Sequence, residues 1–157
     1  MRSPNNPERW KSVLKSLQQH YAWRDGGPLT VSSIETRLGI TLPSDLKFFY
    51  ANCDGVRLFR DFDAPFAILS SNKVDYINAV LGEKNSTNNI IAICYCRDSD
   101  YIGIRLFPDE DAYEIVDCWH ESFPDFSNAR VISRSLLEFL EDLLGSGGHK
   151  FWLGRER

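Results

Sequence analysis

Three strand-like segments follow one another within residues 90–119, and they constrain the fold more than any other feature of the sequence. They read IIAICYC, YIGIRLF and AYEIVDCW, and only the short polar segments RDSD and PDED separate them. Connections this short act as tight turns, so consecutive strands are expected to pair antiparallel. The segment therefore predicts an antiparallel meander of three strands.

The apolar patterns of these segments predict where the strands lie in the sheet. IIAICYC is apolar on both faces, which is typical of a central strand that is covered on both sides. YIGIRLF alternates, with Ile102, Ile104 and Leu106 on one face and Arg105 on the other. RLFRDF, PFAIL and RVI are further candidate strands, which gives a sheet of about five or six strands.

Helix boundary signals surround the predicted strands. These signals are a proline at the first helical position, an Asn cap, a Ser cap with Glu three residues later, and a terminal glycine. They predict helices from Pro7 to about Trp23, from Ser32 to Gly39, from Pro43 to Asn52, from Asn72 to Gly82 and from Ser135 to Gly145.

This order of elements predicts an α+β domain, in which N-terminal helices and a C-terminal helix pack on a mostly antiparallel sheet. The chain has 157 residues and is 43% hydrophobic, enough to bury a core without a disulfide or a metal. We expect residues 1–145 to form a single domain. Residues 146–157 are predicted to be a glycine-rich linker and a C-terminal tail.

The chain carries none of the sequence features of a secreted or membrane protein. Its first ten residues, MRSPNNPERW, hold no apolar segment, and its longest apolar run, IIAIC, is far below the roughly 20 residues that span a bilayer. Four cysteines in such a chain are interpreted as reduced thiols. We therefore predict a cytoplasmic protein without a membrane partner.

Negative charge is concentrated in residues 98–117, which hold seven acidic residues and one arginine, although the net charge of the chain is only −4. A nucleic-acid-binding protein would show a basic stripe instead, so we expect no nucleic-acid partner. Three interpretations of the acidic stretch stay open: a solvated surface that favours solubility, a calcium site without EF-hand spacing, or a docking surface for a basic protein. The docking surface would comprise Asp98, Asp100, Asp109, Glu110 and Asp111, with Trp119 as an exposed anchor.

Two pairs of potential metal ligands lie near strand ends. Cys94 and Cys96 share one face of a strand, as do Cys118 and His120, so the four could form a Cys₃His zinc site if their strands met. Their spacing does not match the usual zinc knuckles, and packed thiols beside a surface histidine are the alternative. The GxSxG, HExxH, Walker and GxGxxG motifs are absent. We therefore predict no metal, no cofactor and no enzymatic activity.

Residues 34–55, IETRLGITLPSDLKFFYANCDG, carry a resemblance to a known family. The glutamate, the Leu-Gly and Leu-Pro pairs, the aromatic residues and the terminal Asp-Gly are similar to the signature of the SUKH superfamily, the Smi/Knr-type domain. The resemblance continues through IIAICYCRDSDYIGIRLF and AYEIVDCWHE to the helix SLLEFLEDLL, and it covers roughly residues 30–144. The N-terminal helix and the FWLGRER tail lie outside it.

The resemblance implies an α+β fold and a binding role without catalysis. Bacterial members of the superfamily look like immunity proteins that neutralise a cognate toxin domain, often a nuclease, of polymorphic or contact-dependent systems. Fungal members are similar in domain but are scaffold or regulatory modules. The resemblance therefore predicts a cognate toxin domain as partner, with a protein-interaction module of the Smi/Knr type as the alternative, and it transfers no site residue.

Overall fold

The computed structural model of the chain describes residues 5–20, 22–59, 66–82, 89–96, 100–107, 110–122 and 125–154. These ranges contain the helices α1 (Pro7–Gln18), α2 (Pro28–Leu38), α3 (Ser44–Asn52), α4 (Ile77–Val80) and α5 (Leu136–Gly145). They also contain the strands β1 (Val56–Leu58), β2 (Phe66–Ile68), β3 (Asp75–Tyr76), β4 (Ile90–Tyr95), β5 (Tyr101–Leu106), β6 (Tyr113–Cys118) and β7 (Arg130–Ser133). Short 3₁₀ turns lie at His120–Ser122 and Phe151–Gly154.

The strands form one sheet, in which every pairing is antiparallel. Its order is β1-β2-β4-β5-β6-β7, and β3 pairs with β4 beside β2. The predicted meander is confirmed as β4-β5-β6, and the described part of the chain contributes seven strands to the sheet, where about five or six were predicted. None of the helices in the described ranges is long and apolar enough to cross a membrane.

Both faces of the sheet are covered. The larger core lies between one face and the helices α1, α2, α3 and α5. The smaller core lies on the other face, which is covered by α4 and by Phe126 of the loop after β6. Strand β4 contributes Ile91 and Ile93 to the larger core and Ile90 and Ala92 to the smaller one. The prediction of a central, doubly covered strand is therefore confirmed.

The start of α2 differs from the prediction. The helix begins at Pro28 rather than at Ser32, because proline suits the first helical position. The preceding Gly27 is extended, and its amide donates to Thr30 Oγ1 at 3.1 Å. Ser32 lies inside the helix and donates its hydroxyl to the Leu29 carbonyl, so it does not cap α2.

The predicted helix from Asn72 to Gly82 is reduced to α4, four residues long. Asp75 and Tyr76 instead pair with Ala92 and Ile91 of β4 and form β3. The apolar residues of this segment have helical spacing, but the backbone of Asp75 and Tyr76 pairs with the central strand β4, and the helix therefore begins only at Ile77. Helix α1 ends at Gln18, short of the predicted end near Trp23.

The hydroxyl of Tyr113 joins three elements at one end of β6. It donates to Asp45 Oδ2 of α3 at 2.5 Å and accepts from the amide of Leu136, the first residue of α5, at 2.6 Å. Burial raises the pKa of Asp45, and the bond from Tyr113 opposes that increase. The hydroxyl therefore satisfies a half-buried acceptor and a buried donor together.

We predict that Tyr113→Phe lowers the free energy of unfolding by about 2 kcal/mol, because it leaves the Leu136 amide and the Asp45 carboxyl without this partner. Urea denaturation followed by tryptophan fluorescence measures the change. Tyr95→Phe is the matched control, since Tyr95 is an exposed strand residue, and it should change the free energy by less than about 0.5 kcal/mol. Equal losses in both variants would contradict the role of the Tyr113 hydroxyl.

Candidate partner-binding surface

The β5–β6 hairpin divides the acidic stretch between two ends of the sheet. Asp100 precedes β5, and Tyr101 pairs with Cys118, so Asp100 lies beside Trp119. Glu110 and Asp111 follow β5 and lie at the opposite end. A strand of six residues separates the two ends by roughly 20 Å.

Two of the six predicted docking residues, Asp98 and Asp109, lie outside the described ranges. Of the other four, Asp100 and Trp119 lie at one end of the sheet, and Glu110 and Asp111 lie at the opposite end. The calcium interpretation, which needs oxygen ligands from both turns at one point, does not fit the separation of Asp100 from Asp111.

Asp100 is a buried carboxylate whose two oxygens are both engaged. Its side chain is 5% exposed. Oδ1 accepts from the His120 amide at 3.0 Å and lies 2.7 Å from Nδ1 of the same residue, while Oδ2 accepts from Lys150 Nζ at 2.9 Å. Burial alone would raise the pKa of Asp100, but the bonds from His120 and Lys150 outweigh it and hold the pKa below its usual range. Asp100 thus fastens the 3₁₀ turn after β6 and the C-terminal segment to β5.

At the other end of the hairpin, Asp111 is also engaged in contacts within the fold, as Asp100 is. Its Oδ1 accepts from the Ser44 amide at 2.8 Å, and its Oδ2 accepts from the Ser44 hydroxyl, so it caps the N-terminus of α3. Glu110, one residue before it, is exposed. The Glu110 side chain is thus open to solvent, whereas the Asp111 carboxylate is engaged by Ser44.

The C-terminal segment packs into the larger core. Trp152 is 1% exposed, and its ring lies 6.3 Å from that of Phe66 and 6.2 Å from that of Phe139, between ring centroids. Its Nε1 donates to Asp117 Oδ2 at 2.9 Å, and its carbonyl accepts from Arg130 Nη1 at 2.9 Å. Residues 146–157 were predicted to be a linker and a tail, and within the described part of this segment Phe151–Gly154 form a 3₁₀ turn.

This packing creates a cleft of about 430 Å³ at the end of β6, which we call the tail cleft. Asp100, Asp117, Trp119, Arg130, Lys150 and Leu153 line it. Trp119 is 48% exposed and Leu153 is 58% exposed, so two large apolar side chains border the cleft and face solvent. An exposed tryptophan beside a second apolar group is typical of a protein-binding anchor.

Asp117 is the carboxylate of the tail cleft whose hydrogen bonding is incomplete. Its Oδ2 accepts from Trp152, whereas its Oδ1 is buried and has no hydrogen-bond partner within the described ranges. Burial raises the pKa of Asp117, and the bond from Trp152 and the nearby charges of Lys150 and Arg130 oppose the increase. The sequence pattern did not single out Asp117 because it alternates with Val116 and Cys118 and resembles an ordinary solvated strand position.

A second, larger cleft of about 580 Å³ lies at the other end of β6. Asp45, Asp111, Tyr113 and Arg134 are among its lining residues. The Asp45 and Tyr113 side chains bond each other, and Asp111 caps α3, so these groups serve the contacts between helices and sheet. The tail cleft, with its exposed tryptophan and leucine, is therefore the better candidate for a partner.

The four potential zinc ligands are not brought together. Cys94 and Cys96 belong to the larger core, whereas Cys118 belongs to the smaller core on the opposite face of the sheet. Burial raises the pKa of Cys118 to about 12, which keeps it a thiol. Among the described residues, no group of three or more His, Cys, Asp or Glu side chains is placed to hold a metal ion. The Cys₃His arrangement therefore does not form, because the sheet separates its members.

Comparison with known proteins agrees with the resemblance found in the sequence. The model of the SMI1 / KNR4 family (SUKH-1) matches residues 28–142, from α2 into α5. The chain is also 25% identical over 117 residues to the immunity protein YokJ of Bacillus subtilis (strain 168). The aligned residues cover 71% of this chain and 70% of that protein. No solved structure gives a significant match. The family model spans most of the chain, and the chain therefore belongs to the SMI1 / KNR4 family (SUKH-1).

Proposed function

We propose that this protein is an immunity protein, which binds a cognate toxin domain and neutralises it by covering the surface that the toxin needs. The observation that carries the proposal is the similarity to an immunity protein over 70% of that relative's length, and the membership of this chain in the SMI1 / KNR4 family agrees with it. The toxin domain we propose is basic, as a nuclease is, and belongs to a polymorphic or contact-dependent system. Binding takes place in the cytoplasm and involves no catalysis by the immunity protein.

Trp119 is the proposed anchor of this interaction. Its half-exposed ring lies at the end of β6 beside Leu153, and the two border the tail cleft. Burial of a large apolar side chain contributes about 1.5–3 kcal/mol, which makes such a pair a suitable centre for an interface.

The acidic residues contribute in two different ways in this proposal. In the sequence Asp98 lies between β4 and β5, and Asp109 and the exposed Glu110 lie between β5 and β6. Their charge would attract a basic domain over a distance of about 10 Å or less at physiological salt. Asp100 supports the tail cleft from within because it holds the C-terminal segment, whereas Asp111 caps α3 at the other end of the hairpin.

We expect the wild-type protein to bind the toxin domain encoded beside its gene and to rescue cells that express that domain. Trp119→Ala should raise the dissociation constant at least tenfold, because interface tryptophans often contribute more than about 1.4 kcal/mol to the free energy of binding. Calorimetry measures the affinity, and thermal unfolding checks the fold. Leu29→Ala is the control, since Leu29 is 84% exposed on α2. Absence of wild-type binding would refute the immunity function, whereas full affinity of Trp119→Ala would refute only the anchor.

The charge of the turns should govern the association rate. The combined variant Asp98→Asn, Asp109→Asn, Glu110→Gln should associate about three- to tenfold more slowly than wild type at low salt, because it loses three negative charges. At high salt the two rates should converge, since screening removes the long-range attraction. Stopped-flow kinetics over a salt series measures this effect. Glu8→Gln with Asp142→Asn, exposed on α1 and α5, is the control, and an equal slowing of that variant would contradict steering by the turns.

A further inference from the structure

We propose that the tail cleft receives an arginine side chain of the protein partner, with the guanidinium group bound at Asp117 and stacked on Trp119. The identity of the partner as a toxin domain rests on the proposed function. The chemistry of the bound group rests on the cleft itself.

The distribution of hydrogen bonds in the cleft favours a cationic donor. Lys150 already donates to Asp100, and Arg130 already donates to the Trp152 carbonyl. Both oxygens of Asp100 are occupied by His120 and Lys150. Asp117 Oδ1 is left without a donor among the described residues. A buried carboxylate oxygen without a donor is unfavourable, and a donor that enters the cleft removes this penalty.

Two apolar groups of the cleft suit the remainder of an arginine side chain. The ring of Trp119 offers a flat π face, on which a planar guanidinium stacks more favourably than an ammonium group. Leu153 borders the same cleft and would cover the aliphatic stem. A cleft of about 430 Å³ is large enough for one such side chain but small for a folded element of a partner.

The C-terminal segment supplies Lys150 and Leu153 to the lining of the cleft and lies outside the part of the chain that matches the family. The match ends at residue 142, whereas Lys150, Trp152 and Leu153 follow it. Trp152 holds the Asp117 carboxyl through Oδ2, and Lys150 neutralises Asp100. The segment thus adds a recognition site to the family fold, which makes it a determinant of partner choice in this chain.

A small-molecule probe tests the cleft without any toxin. Nα-acetyl-arginine methylamide is titrated into the isotope-labelled full chain, and the indole N–H signals of Trp119 and Trp152 are followed by NMR. We expect saturable shifts with a dissociation constant of about 1–10 mM, the weak range typical of a single small ligand. The signal of Trp23, whose Nε1 donates to Asp25, should stay unchanged. Nα-acetyl-citrulline methylamide, the uncharged isostere, should bind at least tenfold more weakly.

Two variants locate the binding. Asp117→Asn keeps an acceptor for Trp152 Nε1 but removes the charge, and it should abolish the preference for arginine over citrulline. Leu153→Ser should weaken arginine binding severalfold, and since Leu153 is exposed it should leave the unfolding midpoint unchanged. Glu8→Gln and Leu29→Ser are the controls for charge and for apolar surface, and both should bind as wild type does.

The proposal is overturned if citrulline binds as tightly as arginine, if Asp117→Asn retains the preference, or if no saturable shift occurs in the millimolar range. Saturable binding of Nα-acetyl-glutamate methylamide in place of arginine would also overturn it, because Arg130 would then be the recognising group. These outcomes are independent of toxin binding. If the wild-type protein binds the toxin but not the arginine probe, only the proposal of an arginine site in the tail cleft is refuted. If it binds the arginine probe but not the toxin, only the immunity function is refuted.

Discussion

An antiparallel ladder of six residue pairs joins β5 to β6, and both the core and the candidate surface depend on its register. Because side chains alternate along a strand, Tyr113, Ile115 and Asp117 of β6 face the helices, while Val116 and Cys118 face the smaller core. A slip of one residue would turn all of them to the wrong face. The same alternation places a polar side chain at each end of the helical face of β6.

These two polar side chains fasten the helical face in different ways. At the start of β6, the Tyr113 hydroxyl bonds Asp45 and the Leu136 amide and is fully used. At the end of β6, Asp117 holds Trp152 with one oxygen and leaves the other without a donor in the described ranges. The first arrangement is complete and serves the fold. The second is incomplete, and an incomplete buried site is where a ligand group can contribute most.

Much of the fold followed from local signals. The meander, the doubly covered β4 and the cap of α5 by Ser135 rest on residues that are close in sequence, and the structure confirms them. The short α4 and the early start of α2 did not follow, because strand pairing with β4 and the proline at residue 28 outweighed the periodicity and the capping pattern. The docking of Trp152 depends on contacts with Phe66, more than 80 residues away, which no local pattern encodes.

The candidate surface was only partly accessible to sequence reasoning for the same reason. Trp119 was recognisable as a tryptophan at a strand end, and it is exposed. Asp100 and Trp119 were expected in one surface with Asp111, but the length of β5 separates the two ends of the hairpin. Asp100 was expected to be a surface charge, but its bond to Lys150, 50 residues away, makes it a buried carboxylate that holds the C-terminal segment. Charge counted along a sequence measures the field that a partner meets at long range, whereas affinity at contact depends on which carboxylates still lack a donor. In the proposed interaction the two properties belong to different residues, since Glu110 is exposed and Asp117 Oδ1 lacks a donor among the described residues. A partner attracted by the charge of Glu110 would then also have to place a cation at Asp117, which is a stricter condition than net charge alone.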